Sequence, residues 1–378
     1  MRASGKVSLR LGAAVAALCV FAGPAFALNG DWPMLNFDPH GHRYNRFETV
    51  LNTKSVKSLH VAWKADIGVT RSTPAVVNGV VYTGTDDCHL TALDAVTGTV
   101  VWSVKLGSTF IISSPAVVNQ IVYVSTMDGQ FFALDAASGT QLWSATLGSQ
   151  SAESPTVSDG RVFIGDNRGI LYSFNARNGK ALWQTDQFAS GNLGAPAVAG
   201  GIVYSQSYGG YLDAIDEATG TKLWVANIDH GIGFGSPLVD GNQVTINSSG
   251  LIKSLNAKTG VQVWESGIGS NEDGSLAAAN GTIYGATEDH IIWRYGAAFG
   301  KLGKLTDGHH DFVAAPTIAN GVLYTVSKGD QIVAAYNATS GKFLWSAPLD
   351  VQPWVSPVVS NGRLYVAAGS LIAYAPQD

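Results

Sequence analysis

Seven of the ten tryptophans in this chain fall on one lattice: Trp63, Trp102, Trp143, Trp183, Trp224, Trp264 and Trp345. Successive gaps are 39, 41, 40, 41, 40 and 81 residues, and Leu305 stands where the lattice lacks its tryptophan. A fixed period near 40 residues is the mark of a chain that folds as stacked supersecondary units, a solenoid or a propeller. It overrides the expectation of two domains that the length of 378 residues would otherwise suggest.

Each period reads as β throughout. It opens on a proline step, as in Thr73-Pro74, Ser114-Pro115, Ser154-Pro155, Ala195-Pro196, Ser236-Pro237, Ala315-Pro316 and Ser356-Pro357. An apolar strand such as Val80-Val81-Tyr82 follows, then an alternating one such as Leu90-Thr91-Ala92-Leu93-Asp94. That strand ends in Asp/Asn-x-x-x-Gly, as in Asp94 with Gly98, Asp135 with Gly139 and Asn175 with Gly179. The Asx side chain bonds the amides of the turn, and glycine takes its positive φ. The tryptophan lies on a fourth strand.

Four strands per period and eight periods predict an all-β fold, an eight-bladed β-propeller of four-stranded antiparallel blades. Trp63 lies on a fourth strand with no blade before it, and the last unit, Trp354 to Tyr374, lacks a fourth strand. The segment around Trp63 is therefore expected to close the ring as the outer strand of the final blade, removing exposed edges. The sixth unit, residues 272–305, is degenerate, with Leu276 for proline and Leu305 for tryptophan. The lattice tryptophans are expected to pack between blades with their indole N–H groups on backbone acceptors.

Residues 1–27 read as a secretory signal: Arg2, Lys6 and Arg10, an apolar run from Leu11 to Gly23, then Ala25-Phe26-Ala27. Cleavage near Ala27 predicts a periplasmic or secreted protein, with residues 28–378 as one propeller domain and 28–62 as an extension leading into the closing strand. Leu18 before Cys19 does not make a lipobox. No later segment is long and apolar enough to span a bilayer. Losing three positive charges takes the formal net charge from −5 to −8. With no basic block, nucleic acid and anionic membranes are poor partners. Only Cys88 remains, so no internal disulfide is expected, and the thiol reads as buried and inert.

The repeat form Ala-x-Asp-Ala-x-Thr-Gly-x-x-x-Trp resembles that of PQQ-dependent quinoprotein dehydrogenases and of the outer-membrane assembly lipoprotein propeller. The opening Asp31-Trp32-Pro33, Asp38, Gly41, Arg43-Tyr44 and Val56 through Leu59 to Trp63 is similar to the dehydrogenase branch. The resemblance implies an alcohol or sugar dehydrogenase using PQQ with calcium, or a binding propeller without catalysis. Three departures favour the second. The family's vicinal cysteine pair is absent, Arg71 stands where those enzymes place a glutamate, and Ile164-Gly165-Asp166-Asn167-Arg168-Gly169 replaces their Gly-Gly-Ala-Glu segment. There is also little length for the insertions that roof their active site.

Other constellations are weaker. His309-His310-Asp311 is the densest group of potential metal ligands, but adjacent histidines on a strand face opposite ways, and no metal site is assigned. Asn271-Glu272-Asp273 and Asp86-Asp87 lack the spaced pattern of a calcium loop. No Gly-x-Ser-x-Gly or phosphate-binding glycine loop occurs.

The repeat register places Arg71, Ile112, Ala152, Leu193, Phe234, Asp273, Val313 and Trp354 as a ring at the mouth of the channel. Ring closure sets Trp354 beside Arg71, a seat for a planar anionic ligand, with Glu153 one residue out of register. Arg71, Glu153, Phe234, Asp273 and Trp354 are thus the candidate binding residues. The sequence leads to an exported binding or scaffold module for a periplasmic protein or a small planar anion, with a compact PQQ-dependent dehydrogenase as the alternative.

Overall fold

In the computed structural model the described residues are 30–186, 191, 194–228, 235–248, 250–267, 275–287, 291–298, 300–306, 312 and 314–377. They form eight blades of four antiparallel strands, each running from a three-residue strand at the axis to an outer strand at the rim, and Tyr44–Asn45 adds a short parallel strand to the inner strand of blade 7. The first blade consists of Ala75–Val77, Val80–Gly84, His89–Asp94 and Val100–Lys105, and the other seven repeat it. In blade 8 the outer strand is Leu59–Ala65, paired antiparallel with Ser370–Pro376. The ring therefore closes by joining the start of the repeat region to its end, as the unpaired Trp63 and the short last unit require. No helix among the described residues is long and apolar enough to cross a membrane.

Neighbouring blades are joined by the lattice tryptophans. Six indole Nε1 groups donate to the carbonyl that follows the third strand of the next blade: Trp63 to Ala95, Trp102 to Ala136, Trp143 to Ala176, Trp183 to Glu217, Trp224 to Ala257 and Trp264 to Ala297, all at 2.9–3.1 Å, whereas Trp345 donates to Leu59 O on the closing strand. Tyrosines on second strands reach the same carbonyls, as Tyr82 does at Ala136 and Tyr123 at Ala176. In blade 6, Leu305 replaces the indole, and Tyr284 still donates to Ala338 of blade 7. Near the axis, serines of the proline steps stitch blade to blade, with Thr73 N–H on Ser114 Oγ and Ser114 N–H on Ser154 Oγ.

The inner strands present unpaired amides to the channel, and residues 30–48 satisfy them. This segment circles the hub once, visiting the blades in order. The middle residue of an inner strand donates to one of its carbonyls: Val76 to Trp32, Val117 to Pro33, Val198 to Pro39, Val239 to His40, Ala278 to His42 and Ile318 to Arg43, at 2.7–3.0 Å. At blade 3 the contact is apolar, with Met34 in the cluster of Val157. At blade 8 the Asn45 amide donates to Val359 O, and Glu48 Oε2 accepts from Gly362 N. Gly41 is needed here, because a Cβ would lie 2.4 Å from Pro237 O. The residues that the sequence presents as a leader to the closing strand are thus a hub that fills the ring.

The lattice tryptophans also explain the turn glycines. A Cβ on Gly260 would lie 2.7 Å from the Trp224 indole, whereas one on Gly281 meets nothing within 4 Å, and both have positive φ, +70° and +72°. Each Gly→Ala change forces alanine into the left-handed region, at about 1–2 kcal/mol. Gly260→Ala adds overpacking at the blade interface, about 1–3 kcal/mol more. Urea denaturation is expected to show Gly260→Ala as clearly the less stable of the two; equal losses would mean that the indole does not press on the turn.

Candidate functional site

The hub segment divides the channel into two ends. At the entry end, where loops run into the inner strands, a cavity of about 260 Å³ is lined by Ile112, Ala152, Glu153, Asn167, Tyr208 and Trp354 among others, with Leu35 and Arg43 of the hub as its floor. Arg43 is buried. It donates to Pro316 O, Leu35 O, Asn36 Oδ1 and Thr317 Oγ1 and lies over the Trp32 ring at 5.7 Å. Burial pulls its pKa down to about 9, so it is charged at neutral pH, but its donors are directed at neutral protein acceptors.

Glu153 is buried in this wall, and its Oε2 has no partner. Desolvation, then the charge of Asp166, raises its pKa well above the ordinary glutamate value. Asp166 itself is held by Tyr172 Oη at 2.9 Å and by the amides of Arg168 and Ile170.

Arg71 and Trp354 line one neighbouring cleft of about 390 Å³ with Val69, Val351 and Gln352. Trp354 is 61% exposed and carries Lys328 Nζ at 4.0 Å from its ring centroid. The Arg71 guanidinium is ion-paired with Asp86 at 2.9 Å and lies over Phe110 at 6.0 Å. Trp354 therefore borders both spaces, Glu153 only the axial one and Arg71 only the cleft. Phe234 and Asp273 lie outside the described residues, as do Leu193, Val313, Asn271, Glu272 and His309 to Asp311. Cys88 is buried, with φ +72°, at the position where blades 2 to 5 place Gly129, Gly169, Gly210 and Gly250.

At the turn end, a second cavity of about 310 Å³ lies between the hub and blades 3 and 4. Its lining includes Asp38, His40, His42 and Arg46 of the hub, with Asp159 and Glu217 of the blades. One ligand atom from each of Asp38, His40 and His42 lies within 4.8 Å of the others. The two imidazoles sit 5.3 Å apart at 33°, and His42 Nδ1 is 2.7 Å from Asp38 Oδ2. Burial holds His40 below the ordinary histidine value. Burial also works against a charged His42, but the hydrogen bond and charge of Asp38 outweigh it and raise the pKa. The sequence carries this group as Asp38-Pro39-His40-Gly41-His42, an Asp-x-His-x-His pattern with proline and glycine as its intervening residues, in a stretch without periodicity.

Glu153 generates a pH dependence. Its folded pKa is raised, so the neutral acid is accommodated and the carboxylate is not. Stability is fully present below the unfolded glutamate value and is lost as pH rises toward the folded one. Glu153→Gln removes the titration, so its urea midpoint is expected to gain on the parent's between pH 5 and pH 8, at up to about 1.4 kcal/mol per pH unit. Parallel profiles for the two proteins would show that Glu153 ionises freely in the fold.

With the geometry established, the chain can be set beside known proteins. The PQQ_2 family model, described as outer membrane protein assembly factor BamB, matches residues 57–187, 133–282 and 279–378. BamB of Vibrio cholerae is 33% identical over 211 residues, which cover 51% of this chain and 54% of that protein. The dehydrogenase subunit of the quinone-type alcohol dehydrogenase of Gluconobacter oxydans is 38% identical over 77 residues, 20% of this chain and 10% of that protein. The chain thus spans about half of the first relative and a tenth of the second. Among solved structures, a europium-containing methanol dehydrogenase superposes with a TM-score of 0.79 at 14% identity, covering 92% of this chain and 98% of that one. BamB of Moraxella catarrhalis does so with 0.70 at 18%, covering 84% and 99%. At such identities the superpositions speak for the fold, whereas the family model spans nearly all of the blade-forming sequence. The chain belongs to the PQQ_2 family of β-propellers, the family described as outer membrane protein assembly factor BamB.

Proposed function

We propose that this protein is an exported binding propeller that receives a protein partner at the entry end of its channel. One observation carries the reading. Exposed aromatic side chains gather there, Trp354 at 61% exposure, Phe110 at 48% and Tyr208 at 41%, with Val69 at 51% and Val351 at 44% beside them. They border the Arg71 cleft and the axial cavity. Clustered Trp, Tyr, Phe and Arg around a recess is the composition of an interface hot spot. The signal-like residues 1–27 support export, and the name of the BamB relatives fits an assembly role.

The residues at hand do not suit PQQ with calcium. That cofactor is a planar polycarboxylate, and Arg43, the one cationic side chain among the described residues lining the axial cavity, has its donors on four protein acceptors. Among the described residues the lining carboxyl is Glu153, and burial raises its pKa, which disfavours the charged oxygen a calcium ion prefers. A free planar anion at Arg71 would have to displace Asp86 from the guanidinium.

The paired substitution Trp354→Ala with Phe110→Ala tests the reading. Removing two anchors of this kind is expected to lower affinity at least tenfold, measured as loss of the envelope proteins that the parent retains, with the melting temperature nearly unchanged. Undiminished retention would move the working surface elsewhere on the ring. Dye-linked alcohol oxidation after addition of PQQ and calcium would replace this reading with the dehydrogenase one.

A further inference from the structure

We propose that Asp38, His40 and His42, faced by Glu217, form a binding site for a divalent transition-metal ion at the turn end of the channel. The three hub residues alternate along the chain, Asp-x-His-x-His, and their ligand atoms already converge within 4.8 Å. A tetrahedral site with bonds of about 2.0–2.1 Å needs donor separations of about 3.3 Å, so small side-chain rotations complete the set. Two imidazoles and one carboxylate are a donor set for zinc, nickel or copper rather than for calcium or magnesium.

Glu217 is the independent sign that this cavity is built for a ligand. It lines the same space. It is 6% exposed, and its Oε1 has no partner. The corresponding position of six other blades is alanine: Ala95, Ala136, Ala176, Ala257, Ala297 and Ala338. All seven residues follow the third strand, and each accepts an indole N–H or a tyrosine hydroxyl on its carbonyl. The side chain is free to vary without touching that contact, and of these seven blades only blade 4, which lines the cavity, carries a carboxylate there. A buried carboxylate with an unused oxygen is costly unless a cation or donor meets it.

The surrounding charge suits a cation. Asp159 lines the cavity, and Asp240 acts electrostatically on both histidines. Arg46, half-exposed and 4.0 Å from Asp38 Oδ2, is the one guanidinium in the lining and has room to swing to solvent. With three ligands from the hub and a fourth from blade 4, the ion would clamp the hub segment to the ring, and the cavity leaves space for a water on the metal.

Untagged, chelator-treated protein titrated with zinc, with calcium and magnesium as controls, tests the site. One zinc per chain, a higher melting temperature with zinc alone, and cobalt absorption bands of a four-coordinate site are expected. His40→Ala and His42→Ala should each weaken zinc binding by at least tenfold and abolish the melting shift. Glu217→Gln should weaken binding less while leaving the cobalt spectrum perturbed. Melting of each variant in chelator alone, compared with the parent, separates lost binding from lost folding. Absence of stoichiometric binding by the parent, or undiminished binding by a His40→Ala protein that melts normally, overturns the proposal.

Discussion

The ring rests on one repeated contact, an indole N–H from one blade meeting the carbonyl at the end of the third strand of the next. It buries a large apolar ring and satisfies two polar groups at once. The turn glycine completes it, since the same turn must come within van der Waals reach of the indole face. Each period thus contributes half of two interfaces. That accounts for a 40-residue spacing of tryptophan and glycine kept over a chain whose intervening residues vary freely. Where blade 6 loses the tryptophan, Tyr284 retains a donor to the same carbonyl, and the ring stays continuous.

A ring of eight blades leaves eight short inner strands with amides facing a channel. Buried unpaired amides are not tolerated, and here the hub segment meets those of six blades with its own carbonyls. The solution has a functional consequence. A channel filled from within has two dissimilar ends, one a recess floored by Arg43 and rimmed by aromatics, the other a pocket between hub and blades with a histidine pair in it. Neither end exists without the hub, and the hub has no structure without the ring.

Buried ionisable groups divide by how they are met. Arg43 has four acceptors and holds the hub in place. Glu48 caps two amides of its own loop and one of blade 8. Glu153 and Glu217 each have an unpartnered oxygen, and they stand at opposite ends of the channel. Buried carboxyls with an unused oxygen are costly unless a donor or cation meets them, and these two each line a cavity.

The tryptophan lattice, the proline steps and the Asx-glycine turns were enough to give blade number, strand order and ring closure, because each depends on contacts repeated at a fixed spacing. Family membership followed from the same repeats. The register placed Arg71, Glu153 and Trp354 near one end of the channel, but not the Asp86 ion pair that occupies Arg71. The hub was invisible for the opposite reason. Residues 30–48 have no periodicity and only the two-residue strand Tyr44–Asn45 as regular structure, and the hydrogen bonds that tie them to the ring reach far along the chain, as Trp32 to Val76, Arg43 to Ile318 and Asn45 to Val359 illustrate. Asp38 stood in the opening similar to the dehydrogenase branch, while His40, His42 and Glu217 carried no signal of their own. Only the closed ring, which carries the hub past blade 4, sets that carboxylate and the histidines on one cavity.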